Sequence, residues 1–165
     1  GRDLPSILVF ASRKINVKSI ARELKSAGFN VADIHSDLEQ PEREKVLLKF
    51  RNRQLQILVA TDVLSRGIDV ENISLVINYD VPQDAEDYVH RVGRTARAEQ
   101  TGIAITFVNL EEQFQFAKIE KLIDTVIRKQ APPESLGEGP EWNPRPTFSG
   151  AVRRSSGNKG RRTKK

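Results

Sequence analysis

The stretch Ile57-Leu58-Val59-Ala60-Thr61-Asp62 consists of four apolar residues followed by a hydroxyl and a carboxylate side chain. A short, continuous apolar run of this kind is typical of a strand buried on both faces of a parallel sheet. Similar runs lie at residues 7–10, 29–34, 75–77 and 103–108, and helical periodicity fills the intervals at residues 17–27, 41–50, 85–92 and 111–128. The alternation predicts an α/β fold, a three-layer αβα sandwich around a mainly parallel central sheet with right-handed crossovers.

Polar residues follow the predicted strands where ligands usually bind in open α/β sheets, beyond the carboxyl ends of the strands. These positions carry Ser12, residues 35–37, Thr61-Asp62 and Tyr79-Asp80. We expect them to cluster at one edge of the sheet. Two simpler interpretations remain open: Thr61-Asp62 could serve merely as a helix cap, and His35 could have a purely structural role.

The run His90-Arg91-Val92-Gly93-Arg94-Thr95-Ala96-Arg97 spaces three arginines three residues apart, directly after a predicted helix. Arginines at this spacing are expected to share one face of a helix or helical turn. Such a row suits a polyphosphate, since guanidinium groups bind phosphate oxygens bidentately and keep their charge. The alternative is a solvated basic helix face.

Two further predictions concern the core. The apolar side chains of the last helix are expected to point inward, and the aromatic ones nearby to be core residues rather than platforms for nucleobases. The inward set is Phe114, Ile119, Leu122, Ile123 and Val126; the aromatic set is Phe107, Phe114 and Phe116.

Composition limits the function classes. The 165 residues include no cysteine and two histidines, which excludes thiolate sites and leaves no metal site expected. No apolar run is long enough for a membrane span, so neither a membrane partner nor secretion is expected, and a cytoplasmic location is predicted.

Charge and composition divide the chain in two. Eight of its 27 basic residues lie from Arg145 onward with no acid, so the remaining 19 face 22 acids. Residues 1–130 are predicted to form one domain and residues 131–165 a Pro/Gly-rich linker with a basic tail. We expect the tail, residues 149–165, to be disordered and to bind nucleic acid non-specifically, or else only to aid solubility.

Five segments together resemble the C-terminal RecA-like domain of the DEAD-box ATP-dependent RNA helicases. In chain order they are Leu8-Val9-Phe10-Ala11-Ser12, Gln40-Pro41-Glu42-Arg43, the stretch from Ala60 to Asp69, Val76-Ile77-Asn78-Tyr79-Asp80-Val81-Pro82, and the run from His90 to Arg97. The resemblance extends from about residue 7 to residue 127. Ala96-Arg97-Ala98 is most similar to the bacterial RhlE-type branch, whereas DEAH-type and RecQ-type helicases place Gln where this chain has His90.

The resemblance implies a role in nucleotide binding for the end of the arginine run. Arg94 and Arg97 match the arginines that reach the γ-phosphate of ATP and act in catalysis. Asp69 matches the residue that contacts the ATP ribose. His90 and Arg91 match positions that couple the two domains to the nucleotide and RNA sites.

The resemblance also implies an RNA surface. Ser12, Arg43, Thr61 and Arg66 match residues along the RNA backbone, so binding is expected to be independent of base sequence. Ser36 belongs to the same surface, although it stands where the family usually has a glycine that lets an RNA phosphate approach closely.

The phosphate-binding loop Gly-x-x-x-x-Gly-Lys-Thr and the motifs Asp-Glu-Ala-Asp and Ser-Ala-Thr do not occur in the chain. ATP, with its Mg²⁺, is therefore expected to be held by an N-terminal RecA-like domain of a longer enzyme, and this chain alone to be inactive. The whole enzyme would be an RNA-stimulated ATPase that unwinds short duplexes by domain closure. The alternative is a non-catalytic RNA-binding or scaffold module of helicase ancestry.

Overall fold

The computed structural model describes residues 6–62, 73–95 and 102–145. Five strands in these ranges form one parallel sheet in the order β2-β3-β1-β4-β5. The strands are β1 (Ile7–Phe10), β2 (Val31–Ile34), β3 (Ile57–Ala60), β4 (Leu75–Asn78) and β5 (Ile103–Thr106). The helices are α1 (Lys14–Ser26), α2 (Gln40–Arg51), α3 (Ala85–Val92) and α4 (Gln113–Leu122). The predicted α/β fold with its parallel central sheet is confirmed.

Helices lie on both faces of the sheet, and alternate strand residues separate the two cores. On the α1 face, Val17 and Ala21 pack with Val9 and Val59. On the opposite face, which we call the α2 face, Phe50 of α2 packs with a second set of strand residues that includes Leu8, Phe10, Leu58 and Val76. The α2 face also carries α3, because the guanidinium of Arg91 lies 5.6 Å from the centre of the Phe10 ring. The helix α4 packs on α3 through an edge-to-face contact of Phe116 with Tyr88.

Local signals explain where the helices begin and end. At the start of α2, Glu39 and Glu42 form a reciprocal capping box and Pro41 occupies the first turn. At the start of α3, the Asp84 carboxylate accepts a hydrogen bond of 2.9 Å from the Asp87 amide. The chain leaves α1 through Gly28, whose φ of 88° favours glycine.

The last helix is shorter than the predicted range of residues 111–128. It ends at Leu122, and Asp124 adopts a φ of 50°, which a continuing helix does not allow. The prediction that Leu122 and Val126 point inward is wrong, since they are 74% and 90% exposed. Ile119 is fully buried, as predicted.

The aromatic residues near α4 also differ in their burial. Phe116 is a core residue, whereas Phe107 is 53% exposed, so its predicted place in the core is wrong. Phe107 follows β5 at the edge of the sheet, where a strand has only one neighbour to pack against.

Residues 137–145 run back along the start of α4. The buried Gln113 side chain donates a 2.8 Å hydrogen bond to the Glu141 carbonyl and accepts one of 2.7 Å from the Asn143 amide. Trp142 meets the Phe116 ring edge-to-face at 6.1 Å, and the Lys129 ammonium lies 4.3 Å from the centre of the Trp142 ring. A domain boundary at residue 130 stays a prediction, and the tail, residues 149–165, lies outside the described residues.

Candidate functional site

The centre of the site is Arg91, which is fully buried on α3. Its Nε and Nη2 atoms bind the two carboxylate oxygens of Asp62 at 2.5 and 2.6 Å. Its Nη1 donates to the Asp80 carbonyl at 3.0 Å, and its Nη2 lies 3.4 Å from the Ser12 hydroxyl. A bidentate pair fixes the guanidinium plane, so the end of α3 is held in one orientation relative to the sheet.

Asp80 extends this arrangement to β1. Its carboxylate accepts hydrogen bonds from the Ser12 amide at 2.9 and 3.1 Å and from the Ser12 hydroxyl at 2.6 Å. It also lies 3.5 Å from Nη2 of Arg91. We call Ser12, Asp62, Asp80 and Arg91 the Arg91 network; it ties the carboxyl ends of β1, β3 and β4 to α3.

The chain after α3 continues as a turn. Its amides at Arg94 and Thr95 donate to the carbonyls of Arg91 and Val92 at 3.3 and 3.1 Å. The Thr95 hydroxyl donates to the Ile73 carbonyl at 2.9 Å, which anchors the turn below β4. Arg94 is half-buried in this turn.

His90 precedes Arg91 on α3. Its Nδ1 atom is buried and has no hydrogen-bond partner among the described residues. The described ranges also contain no group of three or more His, Asp or Glu side chains that could hold a metal ion.

The loop between β2 and α2 is held by Arg43 and His35. Arg43 donates from Nε to the Leu38 carbonyl at 2.9 Å and from Nη2 to the Ser36 carbonyl at 3.1 Å. The buried His35 pairs through Nε2 with Asp33 at 3.1 Å and accepts at Nδ1 from the Asp37 amide at 3.2 Å. Both ring nitrogens are therefore occupied, as the structural interpretation of His35 requires.

Asp37 joins this loop to α1. Its two carboxylate oxygens bind the ammonium groups of Lys14 and Lys18 at 2.9 and 2.8 Å. Hydrogen bonds from Lys18 and Lys14 hold the pKa of the Asp37 carboxyl well below its usual range.

Comparison with known proteins places this geometry in a family. The helicase conserved C-terminal domain matches residues 2–99 of the chain. The chain belongs to this family. Solved structures of DEAD-box proteins that are more than 30% identical to this chain place it among the DEAD-box helicase C-terminal domains. None of the described helices is long and apolar enough to cross a membrane.

Three relatives show how far the likeness extends. The ATP-dependent RNA helicase CshA of Limosilactobacillus reuteri is 44% identical over 76% of the chain and 25% of its own length. The structure of E. coli DEAD-box protein SrmB bound to regulator of ribonuclease activity A is 31% identical, with a TM-score of 0.68 over 81% of the chain and 85% of that structure. S. cerevisiae Dbp5 bound to RNA and ADP BeF3 is 35% identical, with a TM-score of 0.69 over 74% of the chain and 33% of that structure. The chain thus spans about a quarter of the length of CshA.

The helicase C-terminal domain brings some predicted site residues together and leaves others apart. Ser12 and Arg91 meet directly, and Thr61 is buried next to Asp62 at the end of β3. Ser36, in the loop between β2 and α2, and Arg43, in the first turns of α2, are linked to each other instead. Three predicted positions, Arg66, Asp69 and Arg97, lie outside the described residues.

One prediction about the arginines is wrong. Arg91 does not belong to an exposed row of cations on one helix face, because its side chain is fully buried and bound to Asp62. The helix ends at Val92, so Arg94 follows in the turn. Burial next to two carboxylates makes Arg91 a structural cation rather than a phosphate ligand.

The sequence analysis placed Asp62 and Asp80 at the ligand-binding edge of the sheet but did not pair either of them with Arg91. The signal that could have found them is the arginine itself, because a buried guanidinium needs carboxylate partners and both acids directly follow buried strands. The Asp37 pair with Lys14 and Lys18 has no comparable signal, since these three side chains are largely exposed to water and do not need a partner.

Proposed function

We propose that this helicase C-terminal domain forms one half of the core of an ATP-dependent RNA helicase. The other half would be an N-terminal RecA-like domain of the same longer protein. The observation that carries the proposal is the contact of Arg91 with Ser12 and Asp62, three residues before Arg94. This contact joins the strand ends that carry Ser12 and Thr61, two residues proposed to bind RNA, to the turn that carries Arg94, which is proposed to bind ATP.

On the nucleotide side, Arg94 and Arg97 bind the γ-phosphate of ATP held by the other domain, and Asp69 accepts hydrogen bonds from the ribose. Arg94 suits this role because the turn after α3 is anchored on both sides, by Arg91 and by Thr95. An arginine that stabilises the transferring phosphoryl group contributes about 10³-fold or more to the rate.

On the RNA side, Ser12, Ser36, Arg43, Thr61 and Arg66 line the path of a single strand. The contacts are to sugar and phosphate, so the RNA is bound without base specificity. The likeness to Dbp5, whose structure contains RNA and ADP BeF3, supports this assignment. The basic tail adds non-specific affinity.

Coupling between the two sides runs through His90 and Arg91. Because Arg91 fixes the end of α3 to β1 and β3, a displacement of either strand end by RNA is transmitted to Arg94. Domain closure then brings Arg94 and Arg97 to the phosphate and bends the RNA, and reopening releases the products.

Mg²⁺ is assigned to the other domain, because the described residues offer no carboxylate cluster for it. When bound there it neutralises phosphate charge. A cytoplasmic location and membership of the RhlE-type branch complete the proposal; both are supported by the sequence alone.

The test is RNA-stimulated ATPase activity of the full-length protein. Wild type is compared with Arg94→Ala and Arg97→Ala, with Arg22→Ala, an exposed arginine on α1, as the matched control. We expect hydrolysis that requires RNA, a fall of about 10³-fold in the two variants, wild-type rates in Arg22→Ala, and none from this chain alone.

Absence of hydrolysis with every RNA tried would overturn the enzyme assignment and favour the non-catalytic RNA-binding module. Variants at Arg94 and Arg97 with wild-type rates would overturn their catalytic role while leaving the helicase assignment standing.

A further inference from the structure

Two aromatic side chains stand exposed next to each other where β4 and β5 end. Asn78 pairs with Thr106 in the parallel ladder, so the next residues, Tyr79 and Phe107, lie side by side on the α1 face. They are 45% and 53% exposed. Neighbouring strands lie about 4.8 Å apart, which places both rings within reach of a single planar group.

These rings border an open cleft of about 500 Å³, which we call the aromatic cleft. Its lining residues are Arg13, Asn16, Tyr79, Asp80, Phe107, Val108, Asn109 and Glu112. The volume lies within the range of about 300–1,000 Å³ that small-ligand sites occupy. Exposed aromatic faces beside amides and a guanidinium are the groups that bind unstacked nucleobases and their phosphates.

One cationic side chain of the aromatic cleft, Arg13, is placed to bind the phosphate of a nucleotide. Within the described residues, the Arg13 guanidinium makes no ion pair or side-chain hydrogen bond, whereas the neighbouring Lys14 is bound to Asp37. The two acids of the cleft are both occupied. Glu112 accepts the Val81 and Asn109 amides at 3.1 and 3.2 Å, and Asp80 accepts Ser12.

The aromatic cleft directly adjoins the Arg91 network. Arg13 follows Ser12 in the chain, and Tyr79 precedes Asp80. Since the Ser12 amide and hydroxyl bind Asp80, the two chain segments are in contact at the rim of the cleft. A strand of RNA bound along Ser12 would therefore reach the cleft with its next nucleotides.

We propose that the aromatic cleft binds one nucleobase of single-stranded RNA flanking the nucleotide at Ser12. The base stacks on Tyr79 and Phe107, and Arg13 binds its phosphate. This inference rests on the proposed function and extends it, because the helicase would then hold RNA by a base face as well as by the backbone. Stacking accepts any base, so the site adds affinity and lengthens the bound strand without adding sequence preference.

The test uses the full-length protein and a series of oligouridines, from the shortest that binds to longer ones extended at either end. Affinities are measured for wild type, Tyr79→Ala, Phe107→Ala and the double variant. Ile103→Ala, at the start of β5 on the same face as Phe107 and 61% exposed, is the matched control. Loss of stacking on one base lowers affinity about five- to a hundredfold.

We expect that loss only for RNA long enough to reach the aromatic cleft, with no change in Ile103→Ala. The conservative variants Tyr79→Phe and Phe107→Tyr keep a ring and should bind as wild type does. Arg13→Gln should reduce the slope of log affinity against log salt concentration by about 1, which corresponds to the loss of one phosphate contact.

A second measurement does not depend on the folding of any variant. RNA carrying 2-aminopurine at successive positions is bound to the wild-type protein, and its fluorescence is recorded. One position outside the shortest binding length should be quenched by stacking.

The outcomes separate the two proposals. A wild-type protein that binds no RNA fails the proposed function itself. RNA binding with no quenched flanking position, or with equal losses on short and long RNA in the alanine variants, overturns the aromatic cleft alone. Aromatic variants that bind all RNA as wild type does would do the same and leave the rings to a protein partner.

Discussion

The two halves of the sheet are covered differently on the α1 face. In β2, β3 and β1 the apolar residues Val31, Val9, Ile57 and Val59 on that face are buried in the core with α1, and Ile57 retains only 4% exposure. In β5, on the far side of β4, Ile103 and Ile105 on the same face are 61% and 43% exposed. Both halves are built from apolar strands, so the difference lies in the position of α1 and not in the strand sequences.

The difference separates stability from access to ligands. Burial of apolar side chains makes the half under α1 the stable part of the domain. The half that no described helix covers on the α1 face contributes less to stability, and Tyr79 and Phe107 at its carboxyl ends are exposed. The Arg91 network joins the halves, since its residues follow β3, β1 and β4.

The largest effect is expected from breaking that link. Arg91→Met removes the guanidinium from a fully buried site and leaves the carboxylates of Asp62 and Asp80 without it. Removing one partner of a buried pair costs about 3–5 kcal/mol of the free energy of unfolding. Urea denaturation followed by circular dichroism measures the loss.

Two companions sharpen this prediction. Arg91→Lys keeps the charge but not the bidentate geometry, so its loss should be intermediate. Arg22→Ala, at an exposed position, should stay within about 0.5 kcal/mol of wild type. Equal stability of Arg91→Met and Arg22→Ala would mean that the two halves do not depend on the buried arginine.

The second prediction compares one substitution in both halves. Ile57 and Ile103 are the first residues of β3 and β5 and lie on the same face of the sheet. Ile57→Ala should lower the free energy of unfolding by about 2–5 kcal/mol, because it opens a cavity under α1. Ile103→Ala should change it by about 0.5 kcal/mol or less. Similar losses in the two variants, measured by urea denaturation, would contradict the difference in coverage.

The smallest effect is expected from pH, on the half covered by α1. The pKa of Asp37 is lowered in the folded state by Lys18 and Lys14, so its charged form stabilises the fold above the unfolded pKa of about 4. As pH falls below that value towards the folded pKa, this stabilisation is lost. The melting temperatures of wild type and Asp37→Asn should therefore differ at neutral pH and converge in acid.

The effect is limited by exposure of the pair, and added salt should reduce it at neutral pH. Glu138→Gln, which changes an exposed acid with no described ion pair, is the control. A difference in melting temperature between wild type and Asp37→Asn that persists unchanged in acid would exclude the charge of the Asp37 carboxylate as its source.

Much of the fold follows from the sequence because each strand is a short apolar run between helical patterns. The helix at residues 85–92 and the strand at residues 57–60 have the predicted bounds. The family resemblance, also confirmed, depended on short polar motifs that follow these strands.

Other features depend on the third dimension. Leu122 and Phe107 have the apolar character of core residues, but no helix described here covers them. Arg91 has the spacing of a surface cation, yet the carboxylates after β3 and β4 draw it into the interior. The spacing of residues along one segment does not indicate which other segments pack against it. The sequence analysis therefore predicted the wrong degree of burial for each of these side chains.

The hydrogen bonds of Ser12 determine what kind of group it can bind. A serine offers two donors, its amide and its hydroxyl proton, and both are given to Asp80. Arg91 takes one of the two acceptor sites on the hydroxyl oxygen. Only one lone pair is left, and phosphate oxygens, which are acceptors, have nothing to offer it. The 2′-hydroxyl of a ribose can donate to that lone pair and a deoxyribose cannot, so the RNA contact proposed at Ser12 would read the sugar rather than the phosphate.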